Sequence, residues 1–178
     1  MRIIAGEFKG RRLETPIGRD VRPTTEKVKE AVFSILMQEI PGSVFADLFA
    51  GTGNMGLEAV SRGATRAYLC DASRESINVI RRNVHACKAE DRAIVYAGDY
   101  RKTLAAFPEK VDIFFLDPPY KEGLLGDCFE KISEYGLLAD GGLIMAEHGK
   151  DEELPDEMCG FRKIKERKYG SIVLSIYS

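Results

Sequence analysis

The sequence predicts an α/β fold, a doubly wound, seven-stranded and mostly parallel sheet with an antiparallel C-terminal hairpin. Three observations carry that expectation. From residue 44 onward, short apolar runs alternate with segments of helical periodicity, which is the rhythm of repeated βα units. The run 111–116 is apolar on both faces, as a central parallel strand requires, and it stops at Asp117-Pro118-Pro119-Tyr120. The tail breaks the rhythm, because 162–168 and 171–177 are alternating runs joined at Tyr169-Gly170.

Residues 2–13 alternate loosely around Gly6 and Gly10 and read as a short β-hairpin. A loop rich in Pro and Gly follows from Thr15 to Thr24. Thr24 or Thr25 then caps a helix over 26–36, whose apolar residues Val28, Ala31, Val32, Ile35 and Leu36 recur at helical spacing. Residues 1–40 are therefore expected as an appendage to a core of 41–178, within one domain. In that core the predicted strands are 44–50, 66–71, 93–98, 111–116 and 143–147, the last entered through the turn Asp140-Gly141-Gly142. Helices fill the gaps: one after the Gly51–Gly56 loop to about residue 62, one capped by Ser73 to about residue 88, a short one near 100–107, and one over 123–135.

A chain of 178 residues with 44% hydrophobic and 30% charged residues is long enough for a real core and ordinary for a soluble protein. No apolar run nears the roughly 20 residues of a membrane span, and the first residues lack a signal-peptide core, so a cytoplasmic protein is expected. Cys70, Cys87, Cys128 and Cys159 are widely spaced, which fits neither zinc nor a disulfide framework; reduced thiols and no metal are expected. The net charge is −2, but it is unevenly spread. Residues 1–25 hold six bases against three acids, and 161–170 hold five bases against one acid. Basic ends on an acidic chain keep a nucleic-acid partner in play.

Pro cannot continue a central strand, so Asp117 and Tyr120 should stand just past a strand end, where open α/β sheets bind ligands. A second motif lies earlier. Gly51-x-Gly53-x-x-Gly56 follows one strand and opens a helix, and Asp71 ends the next strand 20 residues on. Taken literally this is a dinucleotide fingerprint, and an NAD-dependent oxidoreductase is one reading of it. Two carboxylates point elsewhere. Asp47 sits in the first strand, where a dinucleotide site carries an apolar residue and an ammonium-bearing ligand wants an acid. Asp99 ends the third strand, placed to accept from an adenine amine. An acid for a cationic tail, one for a ribose and one for adenine fit S-adenosylmethionine, with Phe49, Asn54, Ala72 and Tyr100 beside them completing the candidate cofactor set.

With these motifs in hand, the chain resembles the class I S-adenosylmethionine-dependent methyltransferases, which have a Rossmann-like fold. Asp47-Leu48-Phe49-Ala50-Gly51-Thr52-Gly53 is similar to their first motif. Asp117-Pro118-Pro119-Tyr120 is similar to the (Asn/Asp)-Pro-Pro-(Tyr/Phe) motif of enzymes that methylate exocyclic amines. Arg2-Ile3-Ile4-Ala5-Gly6, Lys9-Gly10-Arg11 and Arg22-Pro23-Thr24-Thr25 resemble the N-terminal signature of the RsmD family. That resemblance implies methylation of N2 of a guanine in 16S ribosomal RNA, on naked rRNA or a 30S particle. A monomer is expected because the core needs no partner.

The same resemblance makes Asp117, Pro118, Pro119 and Tyr120 the catalytic candidates, with Tyr120 stacking on a base flipped out of its stack. Arg2, Lys9, Arg11, Arg12, Arg22 and Thr24 become the candidate RNA contacts, the bases gripping phosphates. An N6-adenine DNA methyltransferase shares the Asp-Pro-Pro-Tyr logic, but the chain shows no separate target-recognition domain.

Overall fold

The computed structural model describes residues 1–15, 23–119 and 123–178. Helix α1 (Pro23–Ile35) leads into β1 (Val44–Asp47), α2 (Asn54–Ser61), β2 (Arg66–Asp71), α3 (Arg74–Cys87) and β3 (Ala93–Ala97). The chain continues through α4 (Tyr100–Leu104), β4 (Val111–Leu116), α5 (Leu124–Glu134) and β5 (Leu138–Gly149). It ends in β6 (Glu157–Met158), β7 (Phe161–Tyr169) and β8 (Ile172–Tyr177). Among the described residues these strands form one sheet in the order β3-β2-β1-β4-β5-β8-β7-β6. Strands β1 to β5 pair in parallel, and β8, β7 and β6 add antiparallel at one edge.

Strand alternation sorts the core into two layers. Phe45, Ala67, Leu69, Ile113, Phe115 and Met145 face the layer built by α1, α2 and α3. Ala46, Tyr68, Cys70, Phe114, Leu116 and Ile144 face the layer of α4 and α5. With both faces covered, β1, β2 and β4 have to be apolar almost throughout, and that is why their runs were legible. The chain leaves β1 for β2 on one side and takes up β4 on the other. The sheet order therefore reverses between β1 and β4, opening a crevice at their carboxyl ends.

Several boundaries differ from the sequence expectation, each for a physical reason. The doubly wound sheet has eight strands rather than seven, because the two residues of β6 extend the hairpin edge; two residues are too few to show a period. Strand β5 begins at Leu138, so Asp140-Gly141-Gly142 is a bulge within it and not a turn before it. Val111 pairs with Leu138 and Ile113 with Leu143, which absorbs the extra residues as a register shift. Helix α1 starts at Pro23, a residue suited to a first helical position, which puts Thr24 and Thr25 inside its first turn instead of at the cap. Strand β1 stops at Asp47 and not at residue 50.

The expected N-terminal hairpin is present in short form, with Arg2 bridging Arg12. The Ile3 amide donates to the Arg11 carbonyl and the Gly10 amide to the Ile3 carbonyl at 2.9 Å, and the Leu13 amide donates to the Met1 carbonyl at 3.0 Å, while the stretch between them turns to α2. The amides of Ile4 and Ala5 donate to the Glu58 carboxylate at 2.8 and 3.0 Å, and that of Phe8 donates to Ser61 Oγ at 2.8 Å. Ile3, Phe8 and Leu13 sink into the same apolar layer as α1 to α3. Gly6 fixes how closely this arm can lie. Its φ is +81°, and a Cβ there would stand 1.8 Å from the Ser61 carbonyl oxygen. Gly6→Ala is expected to cost about 2 kcal/mol or more in urea unfolding, since both the backbone region and the close approach exclude a side chain.

Candidate active site

Four carboxylates gather at the carboxyl ends of the parallel strands, and each is held differently. Asp47, the last residue of β1, is 2% exposed, and it accepts one hydrogen bond, from the Phe49 amide at 3.2 Å. Burial pushes its carboxyl well above the ordinary carboxylate range, and the charges of Asp117 and Asp71 push it further. A cation placed beside it would restore the charged form. Asp71 ends β2 and shapes the loop opposite: its oxygens accept from the Gly51 amide at 2.8 Å and the Ser73 amide at 2.8 Å. The outer lone pairs of both oxygens remain for a hydroxyl-bearing ligand.

Between them runs the glycine loop. Gly53 donates to the Ala50 carbonyl at 2.7 Å and stands in the left-handed region, φ +78°, immediately before α2. The turn is tight: a Cβ at Gly53 would stand 3.4 Å from the Ile80 and Leu69 side chains, and Gly51 carries no side chain over the loop, so a ligand can approach the backbone there. Asp99 caps α4, accepting from the Arg101 amide at 2.9 Å and its guanidinium at 3.2 Å, and remains exposed. Ala72 is exposed at the head of α3. The rings of Phe49 and Tyr100 meet at 5.3 Å. The Tyr100 hydroxyl turns away to donate to Asp127, which Arg101 also grips at 2.7 Å.

Asp117 follows β4 directly, half-buried, and burial raises its carboxyl to about 6. Pro118 is buried and Pro119 exposed, and with Glu147 they line a narrow cleft beside the start of α5. Tyr120 lies outside the described residues. The structure thus brings Asp47, Gly51, Gly53, Asp71 and Asp117 to one crevice, with Asp99 at the neighbouring strand end. Asn54 is buried at the start of α2, and its amide oxygen accepts from Lys29 Nζ at 2.5 Å inside the protein. Among the described residues no cluster of three or more His, Cys, Asp or Glu is arranged to hold a metal.

Of the candidate RNA contacts, Arg2, Lys9, Arg11 and Arg12 are exposed. Only Arg2 reaches a described carboxylate, Glu26 at 3.9 Å. Arg22 lies outside the described residues, and Thr24 contributes its backbone to α1. The arm touches the crevice's own wall, since Thr52 Oγ1 donates to Met1 Sδ at 3.4 Å.

One buried group was missed. Lys29 is 1% exposed, and its ammonium donates to the Arg2 carbonyl at 2.9 Å and to Asn54, and pairs with Glu58 at 2.6 Å. Glu58 is fully buried and also takes Arg62 at 2.7 Å. The signal was present: Lys29, Val32, Phe33 and Leu36 fall at i, i+3, i+4 and i+7, so the lysine belongs to the apolar stripe.

Comparisons with known proteins decide the family. A family model described as conserved hypothetical protein 95 matches residues 1–178. "Ribosomal RNA small subunit methyltransferase D" of Escherichia coli is 33% identical over 177 residues, covering 99% of this chain and 89% of that one. The chain belongs to the RsmD family. "Putative rRNA methyltransferase YlbH" of Bacillus subtilis is 37% identical over 180 residues, covering 99% of this chain and 98% of that one. A solved structure, "Putative methyltransferase yhhF from Escherichia coli", superposes with a TM-score of 0.88 at 34% identity, covering 99% and 96%. The RsmD-family fold is accordingly the Rossmann-like α/β sheet expected from the sequence.

Proposed function

We propose that this RsmD-family chain transfers a methyl group from S-adenosylmethionine to the exocyclic N2 amine of a guanine in 16S ribosomal RNA of the small subunit, a cytoplasmic substrate. The relatives' names support ribosomal RNA methylation as the activity. The observation that carries the finer reading is the Asp117-Pro118 strand end, set in one crevice with buried Asp47 and the Gly51–Gly53 turn.

The residues divide the work. Asp47 offers its carboxylate to an ammonium, and the raised affinity of that carboxyl for a proton makes a cationic ligand the natural partner. Asp71 offers its free lone pairs to ribose hydroxyls, and Asp99 offers an exposed carboxylate to adenine. Phe49 and Tyr100 give the adenosyl group an apolar wall, and Gly51, Gly53 and Ala72 keep the floor clear. When bound, S-adenosylmethionine supplies an electrophilic methyl with a good leaving group. The guanine amine is a weak nucleophile because its lone pair is delocalised into the ring. Asp117 and the Pro118 carbonyl accept its two N–H groups and favour a pyramidal nitrogen whose lone pair is free; Pro119 keeps that carbonyl out of a local turn. Tyr120 stacks on the flipped base. Catalysis is then alignment and fixed electrostatics, and the methylated nitrogen loses its proton afterwards without a dedicated base.

In this reading residues 1–40 are the RNA-gripping part and 41–178 the catalytic core, acting as a monomer. The test is labelled methyl transfer to 30S particles, naked 16S rRNA and duplex DNA, with the modified nucleotide mapped. Transfer to duplex DNA alone, or to a ring nitrogen, overturns the proposal. A pH profile tests Asp117 separately. The clamp needs an ionised acceptor, so kcat/KM is expected to rise through an acid limb near 6. Asp117→Asn keeps one acceptor that does not titrate, and its profile is expected to lose that limb.

A further inference from the structure

Most of the surface guanidiniums with a nearby acid are paired: Arg66 with Glu109, Arg82 with Glu14, Arg92 with Glu7, and Arg101 with Asp127. Arg74 and Arg81 on α3 are exposed and have no carboxylate partner among the described residues. With Asn78 they fall at i, i+4 and i+7, so the two cations and a primary amide form one stripe along the helix. The stripe borders an open cavity of about 390 Å³, whose other wall is Ala72 and Gly98 at the ends of β2 and β3, with buried Ile77 lining it.

The surroundings favour an anion. Arg74 is the first residue of a 14-residue helix, so the positive end of the helix dipole adds to its charge. Two acids lie beside it in sequence: Asp71 is turned toward the Gly51 and Ser73 amides, and Glu75, exposed in the same first turn of α3, does not line the cavity. Of the residues assigned above to the methyl donor, only Ala72 touches this cavity. The arm runs along the same helix: Glu14 pairs with Arg82, and its backbone amide and carbonyl are both bound by the Asn83 side chain.

We propose that the Arg74–Asn78–Arg81 face binds phosphates of the RNA strand leading into the methyl-donor crevice, as a second RNA contact beside the arm. The inference rests on the RNA reading above and adds the path the strand takes. A phosphodiester suits it better than a base: two separated guanidiniums and an amide donor match oxyanions, and the open cavity leaves the ribose and base free.

The test compares the parent protein with Arg74→Glu/Arg81→Glu and the milder Arg74→Gln/Arg81→Gln. Both sites are exposed, and thermal melting checks the fold of each variant. Binding of a 16S rRNA fragment is measured across a salt series, and S-adenosylmethionine and inorganic pyrophosphate are titrated separately. The charge-reversed protein is expected to bind RNA at least about tenfold more weakly. Its log K against log salt should be shallower by about 1.4, two phosphates at about 0.7 each on a single strand. The glutamine variant should fall between, and S-adenosylmethionine affinity should stay within twofold.

Unchanged RNA affinity and slope overturn the proposal. A parallel loss of S-adenosylmethionine affinity overturns it too, since the cavity then belongs to the cofactor. So does tight pyrophosphate binding by the parent that the variants lose while RNA affinity holds, which makes the site one for a free small anion. If the parent protein itself binds no ribosomal RNA in a salt-dependent way, the RNA reading fails, and that result is visible before any variant is made.

Discussion

Asp117→Ala is expected to keep S-adenosylmethionine binding and to lose methyl transfer by about 10²- to 10³-fold in single-turnover assays, the scale for removing one fixed electrostatic contact to a reacting group. The substitution removes an acceptor for the amine and leaves the Gly51–Gly53 turn and Asp71 untouched. Loss of fold is a competing explanation, and pH separates the two. The Asp117 carboxyl sits near 6 in the protein against an ordinary value of 3.8, so its ionisation opposes folding. Its contribution to stability is fully present below the ordinary value and is lost as pH rises through about 6. Asp117→Ala should therefore melt higher than the parent at pH 7.5, and the gain should shrink toward pH 5. An inactive variant that melts higher is a lesion of the clamp. Full activity in the variant removes Asp117 from the mechanism.

Lys29→Met should be the most destabilising of these substitutions, at about 3–5 kcal/mol in urea unfolding, because it leaves the fully buried Glu58 facing a neutral side chain. Against a usual total of 5–15 kcal/mol this is a large share. Burial alone would raise the Glu58 carboxyl, but Lys29, the Ile4 amide and Arg62 together hold it below its ordinary 4.5. The folded value lies below the unfolded one. The stability it contributes is present above 4.5 and is lost as pH falls through the folded value. Burial lowers the Lys29 ammonium, and Glu58 only partly offsets that. Replacing both partners, Lys29→Met with Glu58→Gln, is expected to recover part of the loss, since the stranded charge goes with its partner. A double-mutant cycle gives the coupling. Additive losses would mean that the pair does not act as a unit.

How much was legible follows from what periodicity encodes. The bounds of β2 and β4 were read correctly because strands buried on both faces admit few polar residues and end abruptly at Asp71 and Asp117. The Ser73 cap was legible because one hydroxyl at a helix start satisfies the Ser76 amide locally. The crevice followed from topology, since carboxylates at successive strand ends have one place to meet. Pairings between distant segments were less readable. Nothing in the arm's own sequence says that the amides of Ile4, Ala5, Glu7 and Phe8 will bond to Glu58 and Ser61 while those of Ile3, Gly10 and Leu13 bond across the arm itself. The bulge in β5 looked like a turn because Asp-Gly-Gly serves both, and only the partner strand β4 decides which. Lys29 was passed over because a charge on an apolar stripe reads as an exception until its buried acid is known.

The arm's attachment has an evolutionary consequence. Its grip on α2 is made by the amides of Ile4, Ala5, Glu7 and Phe8, and by side chains at positions 3, 8 and 13. Positions 9, 11 and 12 carry none of that load. Their side chains are free to drift without loosening the arm, so the RNA grip proposed for them can be retuned there by single substitutions while the fold is inherited unchanged.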